Sequence, residues 1–524
     1  MTASRPATIS DVLLQLAADH PARPDLVTYL HSGRPREQLG GAELLARAQR
    51  AAAAMRQHGV VPGDRVLLML TSQADFVDAF LGAVWADAIP VPLFPPVFAR
   101  NPEDFIANFG KIAITSGAHI LVASDEIVAM INGFAERLGH GFRILSRSAW
   151  DDSSEKLETA PSRGADDLAL LQFTSGSTGT PKGVALSHAN VLANAQAIGR
   201  AVELNADDVG ICWLPLYHDM GLIGVLATLY WGGRVVLLSP LDFAKDPGTW
   251  LRAISDYRGT LSPAPNFAYR RCLRIADEEL VGIDLSSWRV AFNGSEPIDP
   301  ETVRNFTSRF SSFGFRANAF YPVYGLAEHT LAVSFPALGE GPAVDTVDRS
   351  RLAAEGVAES VPADHPDALG LVSVGTPLAG VSVEIHDEQG SRLPEGHIGE
   401  IRVSSSSVMR GYFGDQAATA EVLSDGWLKT GDLGYLKNDM LYITGRIKDI
   451  IIRAGRNYYP TDIEAVAAEV TGSGGGRAAA FSIPANDDEH VVVLAESELK
   501  DEQHGAELVQ HIAAAVVARV GFRP

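Results

Sequence analysis

Cysteine is nearly absent from this chain. Cys212 and Cys272 are the only two among 524 residues, both in apolar stretches and without a CxxC spacing. That excludes a disulfide framework and a cysteine zinc site, and fits a reducing cytosol best. Long hydrophobic runs are missing too: the longest, GLIGVLATLYWGG from Gly221 to Gly233, has 13 residues and is too short to span a bilayer. The N-terminal stretch carries Asp11 inside its apolar part, so it reads as an amphipathic helix and not as a signal peptide. A soluble, cytoplasmic protein with no transmembrane segment is expected. Basic charge is scarce, with 43 Lys and Arg against 64 Asp and Glu and a net charge of −21. A nucleic-acid partner is thereby excluded, because phosphate readers cluster basic side chains.

What is present is a chain of several folding units, 46% hydrophobic and therefore able to fill their cores. From about 42 to 240 a helical stretch, a glycine or turn and a short apolar strand recur: LLARAQRAAAAMRQHG then RVLLML, FVDAFLGAVWADAIPVPL, and LIGVLATLYWGGRVVLLSP. This alternation predicts an α/β fold with two similar layers of helices on mainly parallel sheets. After about 371 the pattern becomes apolar–polar alternation (VSVEIHD, IGEIRVSS, YLKNDMLYIT) with Asn438-Asp439 at a hairpin turn, which predicts a small antiparallel barrel or sheet. From Lys448 on, helices and strands mix in a compact α+β unit. Between these parts, 339–367 shows no clear periodicity and holds Glu340, Asp345, Asp348, Glu355, Glu359, Asp364 and Asp367 against Arg349 and Arg351. It reads either as a solvated surface insertion or as a functional loop.

The strand LALLQF (168–173) runs into TSGSTGTPKG (174–183). Three glycines allow tight turns that aim N–H groups at an anion, the hydroxyls add donors, and Lys182 adds full positive charge, so the loop suits phosphate. It is not a Walker A loop, since Pro181 and Gly183 stand where that motif needs Gly and Ser or Thr. The bland alternative is an ordinary Ser/Gly surface loop.

TSGSTGTPKG resembles the phosphate-binding signature of the adenylate-forming superfamily, which includes acyl-CoA synthetases, luciferases, nonribosomal-synthetase adenylation domains and fatty acyl-AMP ligases. YGLAE (324–328), TGDLGY (430–435) and GRIKD (445–449) follow in that superfamily's order. The wording of WLPLYHDMGLIG, PNFAYR, FNGSEPI, YPVYGLAEHTL and GRNYYPTDIE, and an insertion between the YGLAE motif and the barrel, are most similar to the fatty acyl-AMP ligases. His329 departs from that pattern, where a small residue is more usual, which bears on fine pocket shape. The resemblance implies a large N-terminal domain over 1–447, made of α/β subdomains to about 370 and a β-barrel-like subdomain over 371–444. A mobile C-terminal domain would follow over 448–524.

It also implies roles. Thr174, Ser175, Gly176, Ser177, Thr178, Gly179, Thr180 and Lys182 would cradle the β- and γ-phosphates of ATP, and Glu328 would hold Mg²⁺. Gly294, Ser295, Glu296, Tyr324 and Gly325 would form the adenine pocket, with the Tyr324 ring as a flat face. Asp432 would accept from both ribose hydroxyls and Arg446 would make a second ribose contact. His218, with Asp219, Met220, Gly221 and Phe267, would lie at the acyl substrate, His218 as a positional residue because a carboxylate needs no base at neutral pH. Lys448 would be the hinge. The alternatives are a helix-start carboxylate for Glu328, a buried turn histidine bonded to backbone for His218, a surface lysine for Lys448, and ordinary core for the apolar segments.

The implied reaction forms acyl-AMP and pyrophosphate from a fatty acid and ATP, then passes the acyl group to the phosphopantetheine thiol of an acyl carrier protein or polyketide synthase. Coenzyme A as acceptor is the second reading; a nucleotide-binding scaffold without turnover is the third. Relatives carry a further lysine in a Ser-Gly-Lys context near the C-terminus. Past Lys448 this chain has only Lys500, in ESELKDEQ. The expectation is a fragment whose catalytic lysine lies beyond Pro524; without that lysine adenylation would be severely slowed. As a hypothesis, the insertion restrains the last domain, and its deletion would raise acyl-CoA formation.

Overall fold

The computed structural model describes residues 5–21, 23–96, 102–135, 142–150, 155–174, 181–453, 456–471, 478–485, 488–497 and 502–520. The α/β architecture expected from the sequence is present. One sheet runs in the order Phe320–Pro322, Val290–Asn293, Leu261–Ala264, Val209–Cys212, Arg234–Leu237, Val27–His31, Arg34–Leu39, parallel except for the last pair. A second sheet, Ile89–Pro92, Arg65–Met69, Ile120–Ala123 and Arg143–Ser146, is wholly parallel. Strands of this kind are apolar throughout because both faces are covered; Val66, Leu67, Leu68 and Met69 are all fully buried. The N-terminal strand Val27–His31 slots into the first sheet beside Arg234–Leu237.

The helix Gly41–Gln57 stops where the sequence pattern placed its end, with Gly59 in the left-handed region at φ 83°. The helix Ile9–Asp19 starts at a capping box in which Thr8 accepts from the Asp11 N–H and the Asp11 carboxylate accepts from the Thr8 N–H.

The later alternating segments form a five-stranded antiparallel sheet: Ser382–His386, Gly399–Ser404, Trp427–Lys437, Leu423–Ser424 and Met440–Arg446. No pairing among the described residues closes it into a barrel. Its hairpin turns at Asn438 and Asp439, both at positive φ (50° and 61°), as a two-residue primed turn requires. In the C-terminal unit the helices Pro460–Val470 and Glu502–Val520 pack on the hairpin Ala478–Ala485/Asp488–Ala495 around Ile463, Val466 and Val516.

The segment 339–367 is ordered and packs through a few buried side chains, the rest being exposed or half-buried. Val344–Asp348 pairs with Ala368–Val372, and the helix Arg349–Glu355 is capped by Asp348 and ended by Gly356 at φ 66°. Val347, Leu352 and Ala358 are buried with Leu433, Tyr435 and Tyr442 of the antiparallel sheet and with Tyr459 of the C-terminal unit. Burial pushes the Asp345 carboxyl up, but bonds from Lys437, Ser360 and Tyr435 outweigh it and hold the group below its usual range. The periodicity was invisible because the strand is five residues long and its partner lies outside the segment.

One buried carboxylate sits far from these elements. Asp78, 2% exposed on the helix Gln73–Trp85, has Arg47 and Arg147 nitrogens 3.6 Å away, while its Oδ1 has no hydrogen-bond partner. Burial outweighs the two guanidiniums and raises its pKa from 3.8 to about 7. A folded-state pKa above the unfolded one means that stability falls as pH rises between those two values, because only the unfolded chain ionises there. Asp78→Asn is therefore expected to gain in melting temperature relative to the parent between pH 5 and pH 8, measured by thermal unfolding at both.

Candidate functional site

The parallel strands of the first sheet end at Cys212, Ala264, Asn293 and Pro322. The segments that follow them carry His218, Phe267, Gly294–Glu296 and Tyr324, so the motifs converge on the C-terminal edge of the sheet, where open α/β sheets bind ligands. Gln172, on the strand Leu168–Thr174, donates to the Tyr217 carbonyl at 2.8 Å and ties the phosphate hairpin to this edge.

Thr174 and Lys182 face each other in register at the open end of an antiparallel hairpin. Ser175, Gly176, Ser177, Thr178, Gly179 and Thr180, between them, lie outside the described residues. The Lys182 ammonium is 4.7 Å from the centre of the Tyr412 ring, and Tyr412 pairs with Val184 in the same small sheet. The Tyr412 hydroxyl donates to Glu328 Oε1 at 2.9 Å. Burial raises the Glu328 carboxyl pKa, and Asp219 and Asp432 add to the rise, while Tyr412 opposes it. A buried carboxylate facing two others lacks a countercharge, which fits a divalent cation that would retain phosphate and water ligands. Among the described residues no group of three His, Cys, Asp or Glu could hold a metal alone. Tyr412 is a site residue that sequence reading missed; only antiparallel pairing across more than 200 residues brings it to Lys182.

Asp432, 7% exposed, has a protein donor on each oxygen: the Tyr324 hydroxyl on Oδ2 at 2.6 Å and Arg446 Nε on Oδ1 at 3.1 Å. Burial raises its pKa against these bonds. Tyr324 is 9% exposed, its ring packed with Val333, Val374 and Ile401, so the flat face expected for adenine is largely covered and the hydroxyl is held by Asp432.

Gly294 and Gly325 are required by the chain itself. A Cβ on Gly294 would lie 2.8 Å from Val323 Cγ2, and one on Gly325 would lie 1.9 Å from the Leu331 carbonyl oxygen. Ser295 sits at φ 66° with its hydroxyl 3.2 Å from the Met220 sulfur. The Glu296 carboxylate accepts from the Phe267 N–H and holds the start of the helix Asn266–Cys272; burial raises its pKa.

The His218 imidazole is 66% exposed and 3.3 Å from Asp219 Oδ1, a contact that raises its pKa. It is thus no backbone-satisfied turn histidine. Asp219 also accepts from the Met220 N–H at 2.7 Å. Phe267 and Gly221 do not line the apolar cavity: Phe267 packs edge-on against Trp213 and Phe243, and Gly221 stands against the Pro215 carbonyl. The cavity itself, of about 80 Å³, lies between the helix Asp219–Tyr230 and the sheet. Its lining includes Met220, Ser295, Tyr324 and Gly325, so part of the expected core is a chamber that shares residues with the motifs read from the sequence.

His329 faces away from that chamber. It is fully buried, its Nε2 lies 2.6 Å from Ser405 Oγ, and burial lowers its pKa to about 4. Its effect is on the packing behind Glu328. Lys448 is exposed in the turn Ile447–Asp449, between the antiparallel sheet and the C-terminal unit. No helix among the described residues is long and apolar enough to cross a membrane.

Comparison with known proteins places these features in a family. The family model described as AMP-binding enzyme matches residues 14–413. The chain is 35% identical over 506 residues to the medium-chain-fatty-acid–[acyl-carrier-protein] ligase JamA of Moorena producens, covering 93% of this chain and 85% of that one. Among solved structures, one from a study of fatty acyl-adenylate ligases of E. coli and L. pneumophila superposes with a TM-score of 0.91 at 34% identity, covering 98% and 92% of the two chains. The L. pneumophila fatty acyl-adenylate ligase in complex with acyl adenylate and pyrophosphate gives 0.77 at 33% identity, over 99% and 91%. With the family model spanning most of its length and its motifs gathered on one sheet edge, the chain belongs to the AMP-binding enzyme family.

Proposed function

We propose that this protein activates a fatty acid with ATP to acyl-AMP and pyrophosphate and then transfers the acyl group to the phosphopantetheine thiol of an acyl carrier protein. The observation that carries this reading is the apolar chamber whose lining includes Ser295, Tyr324 and Gly325, residues of the nucleotide motifs. An alkyl chain in the chamber brings its carboxylate to the mouth, beside His218. The relatives named as acyl-carrier-protein and AMP ligases support the same acceptor and class. Reduced, buried Cys212 and Cys272 are consistent with a cytoplasmic setting.

The first step asks for positioning and charge neutralisation, since the attacking carboxylate is already ionised. Lys182 and the loop from Thr174 hold the β- and γ-phosphates, which leave together; the Tyr412 ring steadies the lysine. Glu328, oriented by Tyr412, would hold Mg²⁺, which when bound offsets the phosphate charge. His218, whose pKa Asp219 raises, keeps a proton to higher pH than an ordinary imidazole and orients the incoming carboxylate. Asp432 and Arg446 hold the ribose, and Gly294 with Ser295 and Glu296 borders the base. Lys448 serves as the pivot when the C-terminal unit rotates for thioester formation.

Fatty-acid-dependent exchange of label between pyrophosphate and ATP by the product of the complete gene tests the reading, and its absence with every fatty acid would refute it. Transfer to a carrier protein is expected to exceed transfer to free coenzyme A; efficient acyl-CoA formation would overturn the choice of acceptor. Glu328→Gln is expected to reduce exchange by about 10²-fold or more. Tyr412→Phe, which removes one hydrogen bond to a charged group, should cost about tenfold and appear mainly as a higher magnesium requirement. The helix Arg349–Glu355 packs between the antiparallel sheet and the C-terminal unit, so Leu352→Ala should loosen that contact. Acyl-CoA formation should then rise several-fold with exchange unchanged, read in parallel assays.

A further inference from the structure

The helix Asp219–Tyr230 starts at the C-terminal edge of the sheet and ends at the opposite edge, where the next strand, Arg234–Leu237, begins. The chamber follows it down. Met220, Gly224 and Thr228 line it one turn apart, and at the far end it is closed by Gly210 and Val235, near the starts of their strands, together with Leu204. Gly210 and Thr228 close on each other: a Cβ on Gly210 would lie 3.1 Å from the Thr228 hydroxyl oxygen. Leu204 and Val235 are 6% and 1% exposed, so the chamber is a dead end and not a channel.

Gly224 stands out within this wall. An added Cβ would meet nothing within 4 Å, although the residue lies mid-helix in the protein core, and no positive φ requires glycine there. The space its side chain would occupy belongs to the chamber.

The polar side chains of the lining are all engaged within the protein. Thr228 Oγ1 donates to the Gly224 carbonyl at 2.9 Å, the Cys212 thiol points to the Leu214 carbonyl at 3.9 Å, Ser295 bonds to the Met220 sulfur, and the Tyr324 hydroxyl donates to Asp432. A carbonyl carried into the chamber by a substrate would find no uncommitted side-chain donor, and a hydroxyl would find only the remaining lone pairs of oxygens already engaged.

On the fatty-acid reading given above, we infer that the chamber takes an unsubstituted alkyl chain of medium length, and that Gly224 and Thr228 set its limit. From Met220 to Thr228 the helix advances about 12 Å, a depth that an extended chain fills with roughly nine or ten carbons, so the optimum falls at about C8–C12.

The test is pyrophosphate exchange by the full chain across saturated acids from C4 to C18. The parent should peak at C8–C12, and a peak at C16 or beyond would overturn the inference while leaving the fatty-acid reading intact. Gly224→Leu replaces a poor helix former with a good one and fills the chamber midway; its peak should fall by at least three carbons. Thr228→Ala opens the floor and should shift the peak one or two carbons longer. Opposite shifts from two residues on one helix face cannot come from general destabilisation, and unchanged profiles in both variants would overturn the assignment. 10-Hydroxydecanoate should be used about 10²-fold less efficiently than undecanoate, which is of nearly equal length; equal use would show that the chamber tolerates polar chains. No exchange with any acid in the parent would remove the fatty-acid reading, and this inference with it.

Discussion

Parallel strands all finish on the same side, and in this protein that constraint organises everything else. Four strands of the first sheet end at Cys212, Ala264, Asn293 and Pro322, so the segments that leave them have no choice but to meet. Chain stretches more than 100 residues apart become neighbours without any long-range contact being built for the purpose. The hairpin that begins at Leu168 is tied to that edge by a side-chain amide, Gln172 on the Tyr217 carbonyl. The Tyr324–Asp432 bond ties the antiparallel sheet to the segment that follows the strand Phe320–Pro322.

The electrostatics of that edge are unusual for what the family binds. Glu328, Asp432 and Asp219 are gathered in a chain of net charge −21, and burial raises the pKa of both Glu328 and Asp432. An anionic substrate is not drawn in by the global field; screening confines that field to about 8 Å at physiological salt in any case. On the proposed reading, attraction comes from Lys182 and His218 at close range, and a bound cation would relieve the carboxylates.

Much of this was legible in the sequence. The switch from helix–strand alternation to apolar–polar alternation marked the change from parallel to antiparallel sheet, and the Asn438-Asp439 turn was placed correctly. Several motifs follow strand ends, which are local, whereas TGDLGY lies inside the strand Trp427–Lys437. What the sequence concealed depends on pairing over distance. Tyr412 carries no local signal, and its role beside Lys182 arises from a two-residue strand joining a hairpin more than 200 positions earlier. The glycines of the adenine motif looked like room for a ligand, whereas Gly294 and Gly325 make room for Val323 and Leu331. Phe267 was expected at the acyl substrate, and its ring packs edge-on against Trp213 and Phe243, a neighbourhood that the sequence pattern does not reveal.

The pairing of Val344–Asp348 with Ala368–Val372 has an architectural consequence. The chain leaves the large domain and returns to it along one five-residue ladder, so everything beyond the ladder hangs from a closed stem. Lengthening or shortening the piece beyond such a stem changes loop-closure entropy only logarithmically and leaves the strands on either side in place. The helix Arg349–Glu355 can therefore be recut, through its length and its buried face, as an exchangeable spacer between the antiparallel sheet and the C-terminal unit.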